Sequence, residues 1–178
     1  IAGDLLYVGT EGGLEIWDLA ADDGPVLLDS YTTTRKVNDI VVDGDTAYVA
    51  TYGGAFGTWV YDKGKLISLD VSDPADITKL DEVTTDSLAL DIAVQGNRLY
   101  LANAFGGIAI YNTSEPDDLI RLGKFTTSAG FTLANATAVA VSGTHLYVGD
   151  EQAGLVVFDV ANAAAIKKVN QFSTDVRI

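Results

Sequence analysis

At 178 residues, 48% of them apolar, the chain is long enough to bury one core without covalent staples and too apolar to stay disordered. Its 25 acidic against 11 basic residues give a net charge of −14, which excludes nucleic-acid phosphate as a partner and disfavours anionic membrane surfaces. No apolar run approaches the roughly 20 residues a membrane-inserted helix needs, and the lack of cysteine excludes disulfides and thiolate metal sites while leaving the compartment open.

The predicted elements are short strands that repeat. Residues 1–36 hold an apolar strand at LLYVGT from Leu5, a second at GLEIWDL (13–19) and a third ending in DSYTT (29–33). Residues 37–88 begin with DIVV (39–42), turn at DGD (43–45), and continue through TAYVAT from Thr46, KLISLDV (65–71) and DEVTT (81–85). Residues 89–135 repeat the series as DIAV (91–94), QGN (95–97), RLYLAN from Arg98, GIAIYNT (107–113) and GKFTT (123–127). Residues 136–178 give AVAV (138–141), SGT (142–144), HLYVGD from His145, GLVVFDV (154–160) and NQFST (170–174). Runs rich in valine, isoleucine, tyrosine and threonine and bounded by turn residues read as strands. The unit is therefore four strands, A to D, with a glycine in the A–B turn where a two-residue hairpin demands positive φ.

Two markers fix the period. Asp18, Asp70, Asn112 and Asp159 close strand C at spacings of 52, 42 and 47 residues, and Tyr31, Val83, Phe125 and Phe172 in strand D keep the same spacings. Tyr7, Tyr48, Tyr100 and Tyr147 stand in register in strand B. An all-β chain follows: one β-propeller domain over 1–178, built of four four-stranded antiparallel blades. The alanine-rich stretch 160–169 falls in a turn register and is too short for an independent helix. Ile1 aligns with the end of strand A, so the first unit lacks most of that strand, and 173–178 starts a linker toward a fifth. Either four blades close on themselves, the terminal segment completing the first, or the chain is a four-blade segment of a larger propeller.

LVVFD at 155–159, the [LA]YV block of strand B, the GD and GN turns and the S-[DE]-P turns at 72–74 and 114–116 resemble the LVIVD-repeat family, named for its third-strand run. Asn112 and the turns at 20–25 and 161–166 depart from the pattern. The resemblance spans the chain and implies a propeller from secreted or cell-surface proteins, mostly without an assigned activity. The strand-C aspartate is expected to accept hydrogen bonds from the next few backbone amides, as in an Asx-turn, which asparagine can do equally.

Loops B–C and D–A share one face of a propeller. The second unit inserts YGGAFGTWVYDKG (52–64) there, and the third has a long linker, TTSAGFTLAN (126–135). Tyr52, Phe56, Trp59, Tyr61 and Phe131, with Phe105 from a shorter loop, are candidate ligand-binding residues for a protein or glycan, because aromatics bring large contact area with few rotatable bonds. The alternative is that the insertion folds back and hides its own aromatics. The opposite face gathers Asp22, Asp23, Asp73, Asp76, Glu115, Asp117 and Asp118. Calcium needs six to eight oxygens, and no loop has the spacing of a dedicated site, so solvated turns are expected and no cofactor or metal is assigned.

Asp39 and Asp91 begin strand A, which lines a propeller's channel, where they serve as a carboxylate pair or as ties between blades. His145, the lone histidine, cannot by itself form a triad or metal site, and no nucleophile, P-loop, dinucleotide or H-E-x-x-H motif occurs. Asn112 and Asn135 lie in glycosylation triplets. The expectation is a non-enzymatic extracellular or cell-surface module that binds a protein or glycan or assembles with copies of itself as an array or filament. The alternative is a metal-assisted hydrolase using the channel acids.

Overall fold

Successive strand residues point to opposite faces of a sheet, and in the computed structural model, which describes residues 1–52, 63–128 and 130–173, apolar side chains are sorted onto those faces. Strands β1 (Leu5–Gly9), β2 (Gly13–Asp18) and β3 (Val26–Thr32) form sheet 1. Strands β4 (Val37–Asp43), β5 (Thr46–Thr51), β6 (Lys65–Asp70) and β7 (Thr78–Thr84) form sheet 2. Sheet 3 comprises β8 (Asp91–Gln95), β9 (Arg98–Ala102), β10 (Ile108–Asn112) and β11 (Arg121–Phe125). A small ribbon, β12 (Thr127–Ser128) with β13 (Phe131–Thr132), occupies the following linker. Sheet 4 comprises β14 (Ala136–Ser142), β15 (His145–Asp150), β16 (Gly154–Asp159) and β17 (Lys167–Phe172).

Every sheet is an antiparallel meander whose strands lie in chain order. Four-stranded blades are therefore present in three units, while sheet 1 has three strands. In place of its strand A stands only the end of the hairpin, Ala2 and Leu5 exchanging backbone bonds of 3.0 and 3.1 Å across Gly3. Gly44, Gly96 and Gly143 turn the other A–B hairpins at φ of +58°, +57° and +58°. Tyr7, Tyr48, Tyr100 and Tyr147 lie opposite Ile16, Ser68, Ile110 and Val157, the same point of strand C each time. A β-bulge recurs one position beyond, between strands C and D of all four sheets.

Strands B and C are apolar on both faces, so each sheet needs cover on two sides. Leu14 and Ile16 of sheet 1 pack with Ala47, Val49, Ile67 and Leu69 of sheet 2. The other face of sheet 2, with Tyr48, Ala50 and Leu66, packs with Leu99, Leu101, Ala109 and Tyr111 of sheet 3. The other face of sheet 3, with Tyr100, Ala102, Ile108 and Ile110, packs with Leu146, Val148, Val156 and Phe158 of sheet 4. Among the described residues no buried cluster joins sheet 4 to sheet 1. The arrangement is propeller-like, four sheets with three cores, and the ring is not closed. The segment 174–178, expected to complete the first blade, lies outside the described residues.

Carboxylates tie the sheets in two tiers. On the inner strands the Ile92 amide donates to Asp39 (2.9 Å) and the Val139 amide to Asp91 (2.7 Å). Just past the strand-D bulge, the Ile77 amide donates to Asp29 and the Leu119 amide to Asp81, each at 2.8 Å. The third unit has Gly123 at that position. The carbonyl of Ala163 comes to 1.8 Å from where a Cβ would stand, so the missing side chain admits the 3₁₀ turn Ala163–Ala165 of sheet 4. The alanine-rich stretch thus forms a single turn docked on the preceding sheet. Gly123→Ala must push that turn away, and overpacking of this kind costs about 1–3 kcal/mol. The expected outcome is a lower urea midpoint at unchanged slope, measured by fluorescence of the two tryptophans.

Candidate functional site

The strand-C carboxylates close turns. Asp18 accepts from the Ala20 amide (2.8 Å), Asp70 from Ser72 (2.9 Å), Asp159 from Ala161 (2.9 Å), and Asn112 from Ser114 (3.3 Å). Each bond reaches two residues ahead, the Asx-turn geometry, and the asparagine keeps it with its amide oxygen. Among the described residues no group of three or more His, Asp or Glu side chains converges on a common point suited to a cation.

On the face of the B–C and D–A loops, the polar residue ending strand B anchors the linker that enters its own sheet. Asn103 accepts from the Ser87 amide (3.0 Å). Fully buried Asp150 accepts from Asn135 (2.9 Å), Gln152 (3.0 Å) and Ala153 (2.8 Å). Of the candidate aromatics, the described ones, Tyr52, Phe105 and Phe131, stand in separate settings. Phe105 projects from its loop, 61% exposed. Tyr52 is half-buried, and its amide donates to the Lys36 carbonyl (2.8 Å). Phe131 folds inward against Phe125 and Phe158, at ring separations of 6.3 and 6.5 Å, while the Lys168 ammonium caps its ring at 3.9 Å. It serves the sheet 3–4 core and carries a cation on its open side. Phe56, Trp59 and Tyr61 lie outside the described residues.

The channel acids do meet. Asp39 lines a cavity of about 230 Å³ with Tyr7, Gly9 and Asn38, and the carboxyl of Asp91 is its neighbour. Burial, and then this neighbouring acid, push the Asp91 pKa up to about 6 against the pull of the Val139 amide. The pair thus combines both sequence expectations, two carboxyls side by side and each tied to the next sheet. On the opposite face a cleft of about 630 Å³ separates sheets 3 and 4. Arg98 donates across it to the Val160 (2.9 Å) and Ala161 (3.3 Å) carbonyls, so its charge already serves the junction.

The largest departure from expectation lies on the outward face of sheet 4. Tyr48 and Tyr100 are 2% exposed, whereas Tyr147 in the same register is 38% exposed. Leu66 and Ile108 are fully buried, whereas Leu155 is 36% exposed. Phe172, directly opposite Leu155, is also exposed, as are Ala138 and Ala140 on the inner strand. Val157, opposite Tyr147, is buried. Sequence reasoning missed this surface because nothing in the residues separates Tyr147 from Tyr100; only the neighbour differs.

A family model described as the LVIVD repeat matches residues 34–56, 88–127 and 134–174, more than half of the chain. The three strands of sheet 1 fall outside these matches and nevertheless keep the same register. Among solved structures, the crystal structure of the computationally designed Ika4 protein is similar, with a TM-score of 0.63 and 13% identity over 89% of this chain and 87% of that one. At that identity the likeness concerns the fold alone. No curated protein matches the chain.

Two outcomes test this geometry. Ile108→Ala should cost about 2–5 kcal/mol as a core truncation, and Leu155→Ala at the same register under about 1 kcal/mol, both read from urea unfolding. The folded Asp91 pKa of about 6 lies above its ordinary 3.8, so this group's contribution is complete below 3.8 and lost as pH rises through 6. Asp29 has the opposite sign: the Ile77 and Ser30 amides lower its pKa, and its contribution is lost in more acid solution. Between pH 4 and 7, Asp91→Asn should therefore remove a downward slope from the plot of urea midpoint against pH.

Proposed function

The chain belongs to the LVIVD-repeat family, and from that premise we propose that it is a non-enzymatic protein-binding and assembly module whose working surface is the outward face of sheet 4. The observation carrying this reading is the contrast at one register position, sealed in sheets 2 and 3 and open in sheet 4. A contiguous face of Tyr147, Leu155 and Phe172 flanked by alanines offers a flat apolar area suited to another protein surface. Phe105, exposed on its loop, gives the loop face a separate contact for a protein or a glycan.

The open outer faces support the larger-ring architecture over four closed blades. An extracellular or cell-surface setting suits the family resemblance and the excess of aspartate, 20 against 5 glutamates. No cofactor is invoked. The Asp39–Asp91 pair is what favours the second reading, a metal-assisted hydrolase, yet each carboxylate already accepts a backbone amide from the next sheet.

The test compares Tyr147→Lys/Leu155→Lys with Phe105→Ala in sedimentation and glycan-array measurements. The double variant should weaken protein association at least tenfold and Phe105→Ala should leave it intact. The reverse pattern moves the working surface to the loop face, and hydrolysis abolished by Asp91→Asn would replace the reading.

A further inference from the structure

We propose that the partner of sheet 4 is a second copy of the chain: sheet 4 of each copy seats on sheet 1 of the other, closing two chains into one ring of eight sheets. The proposal rests on sheet 4 being the working surface, and it adds the identity of the partner and the second half of the interface.

The first argument is register. At all three internal junctions, the face carrying the strand-B tyrosine or its neighbours in strand C packs onto the alternate face of the following sheet. That receiving face is built by Ala47, Val49 and Leu69 in sheet 2, and by Leu146, Val148 and Phe158 in sheet 4. Its counterpart in sheet 1 is Leu6, Val8 and Trp17, with Leu27 paired to Trp17 across the strands. Leu27 is exposed and the other three are half-buried. Sheet 4 therefore presents the face that packs forward, and sheet 1 the face that receives. Trp17 donates its indole N–H to Glu15 (2.9 Å), so that donor is satisfied within the face. Glu15 itself stands at the register of Ile67 and keeps one charge at the seam, which favours a separable junction.

The second argument is the pattern of ties. Asn170 occupies the register of Asp29 and Asp81, and the position that would donate to it is Pro25, which has no N–H, where Ile77 and Leu119 stand in sheets 2 and 3. Ala138 occupies the register of Asp39 and Asp91. A junction of sheet 4 with sheet 1 has packing and neither tier of carboxylate ties, so apolar contact alone would hold it.

Charge and area set the geometry. Residues 136–178 carry four acidic and three basic side chains and residues 1–36 carry seven and two, so head-to-tail pairing spares the repulsion of joining two first sheets. A four-stranded face five residues long covers about 19 by 17 Å, about 300 Å². Two reciprocal seams cover two such faces of sheet 4 and two three-stranded faces of sheet 1 at about 240 Å² each, on the order of 1,100 Å², at the lower bound for a specific interface, and a single seam covers half of that. Eight sheets fall within the usual range of propeller sizes.

The test is solution mass by light scattering across a dilution series, for wild type, Leu155→Lys, Leu27→Lys and the control Ile120→Lys, an exposed site on neither face. Wild type and the control should be dimers, and each seam variant should dissociate at least tenfold more readily. Mixing the two seam variants leaves one intact seam per pair and should recover only part of the lost association. A wild type that is monomeric at its highest soluble concentration overturns the proposal. A dimer dispersed by Leu155→Lys but not by Leu27→Lys overturns the sheet 1 assignment while leaving sheet 4 as the working surface, and one dispersed by neither overturns both. Should a lysine variant fail a circular-dichroism check of folding, Leu155→Cys and Leu27→Cys chains can be mixed with a short bismaleimide, since the chain has no native thiol. Cross-linked heterodimer is expected, and its absence overturns the proposal.

Discussion

A sheet that is apolar on both faces has to be covered on both faces, and the rest of the molecule follows from that constraint. Leu66 and Ile67 are neighbours in one strand, yet they point into different cores, one shared with sheet 3 and the other with sheet 1. Burying a leucine or isoleucine side chain contributes roughly 1.5–3 kcal/mol, and sheet 2 gains this on each side only because a sheet precedes it and another follows. Stability is thus a property of junctions, as in other repeat architectures, and the sheets at the ends of the stack gain it on one side only.

Packing alone leaves sheets free to slide, and the carboxylates limit that freedom. Asp39 and Asp91 act at the inner strands, Asp29 and Asp81 near the outer edge, and all four accept an amide that belongs to the next sheet. An ionised acceptor on a backbone donor is directional, so the two tiers set the angle between sheets as well as their separation. Where the outer tie is missing, at Gly123, a turn of the following sheet fills the space directly. The inner tier brings two acids together, and the raised Asp91 pKa records the cost of placing them side by side away from water.

Much of this was legible in the residues. The shared spacing of the strand-C and strand-D markers places every sheet, and the substitution of Asn112 for aspartate points to an acceptor of backbone bonds, which the four Asx-turns bear out. Phe131 shows the limit. Its position in a long polar linker suggests a surface contact, but the linker's small ribbon turns it toward Phe125 and Phe158, an outcome that depends on sheet 4 arriving beneath it.

Tyr147 shows the same limit from the other side. Its local pattern is that of Tyr48 and Tyr100, and a strand's own alternation can say which residues share a face but not whether another sheet lies against that face. The amino-acid sequence by itself determined the repeat, the strand register and the turn chemistry, because those rest on contacts within a few residues or between adjacent strands. Which apolar faces are sealed, which acids meet, and which surface is left for a partner were decided only by the tertiary structure, because they depend on how many sheets stand beside each one.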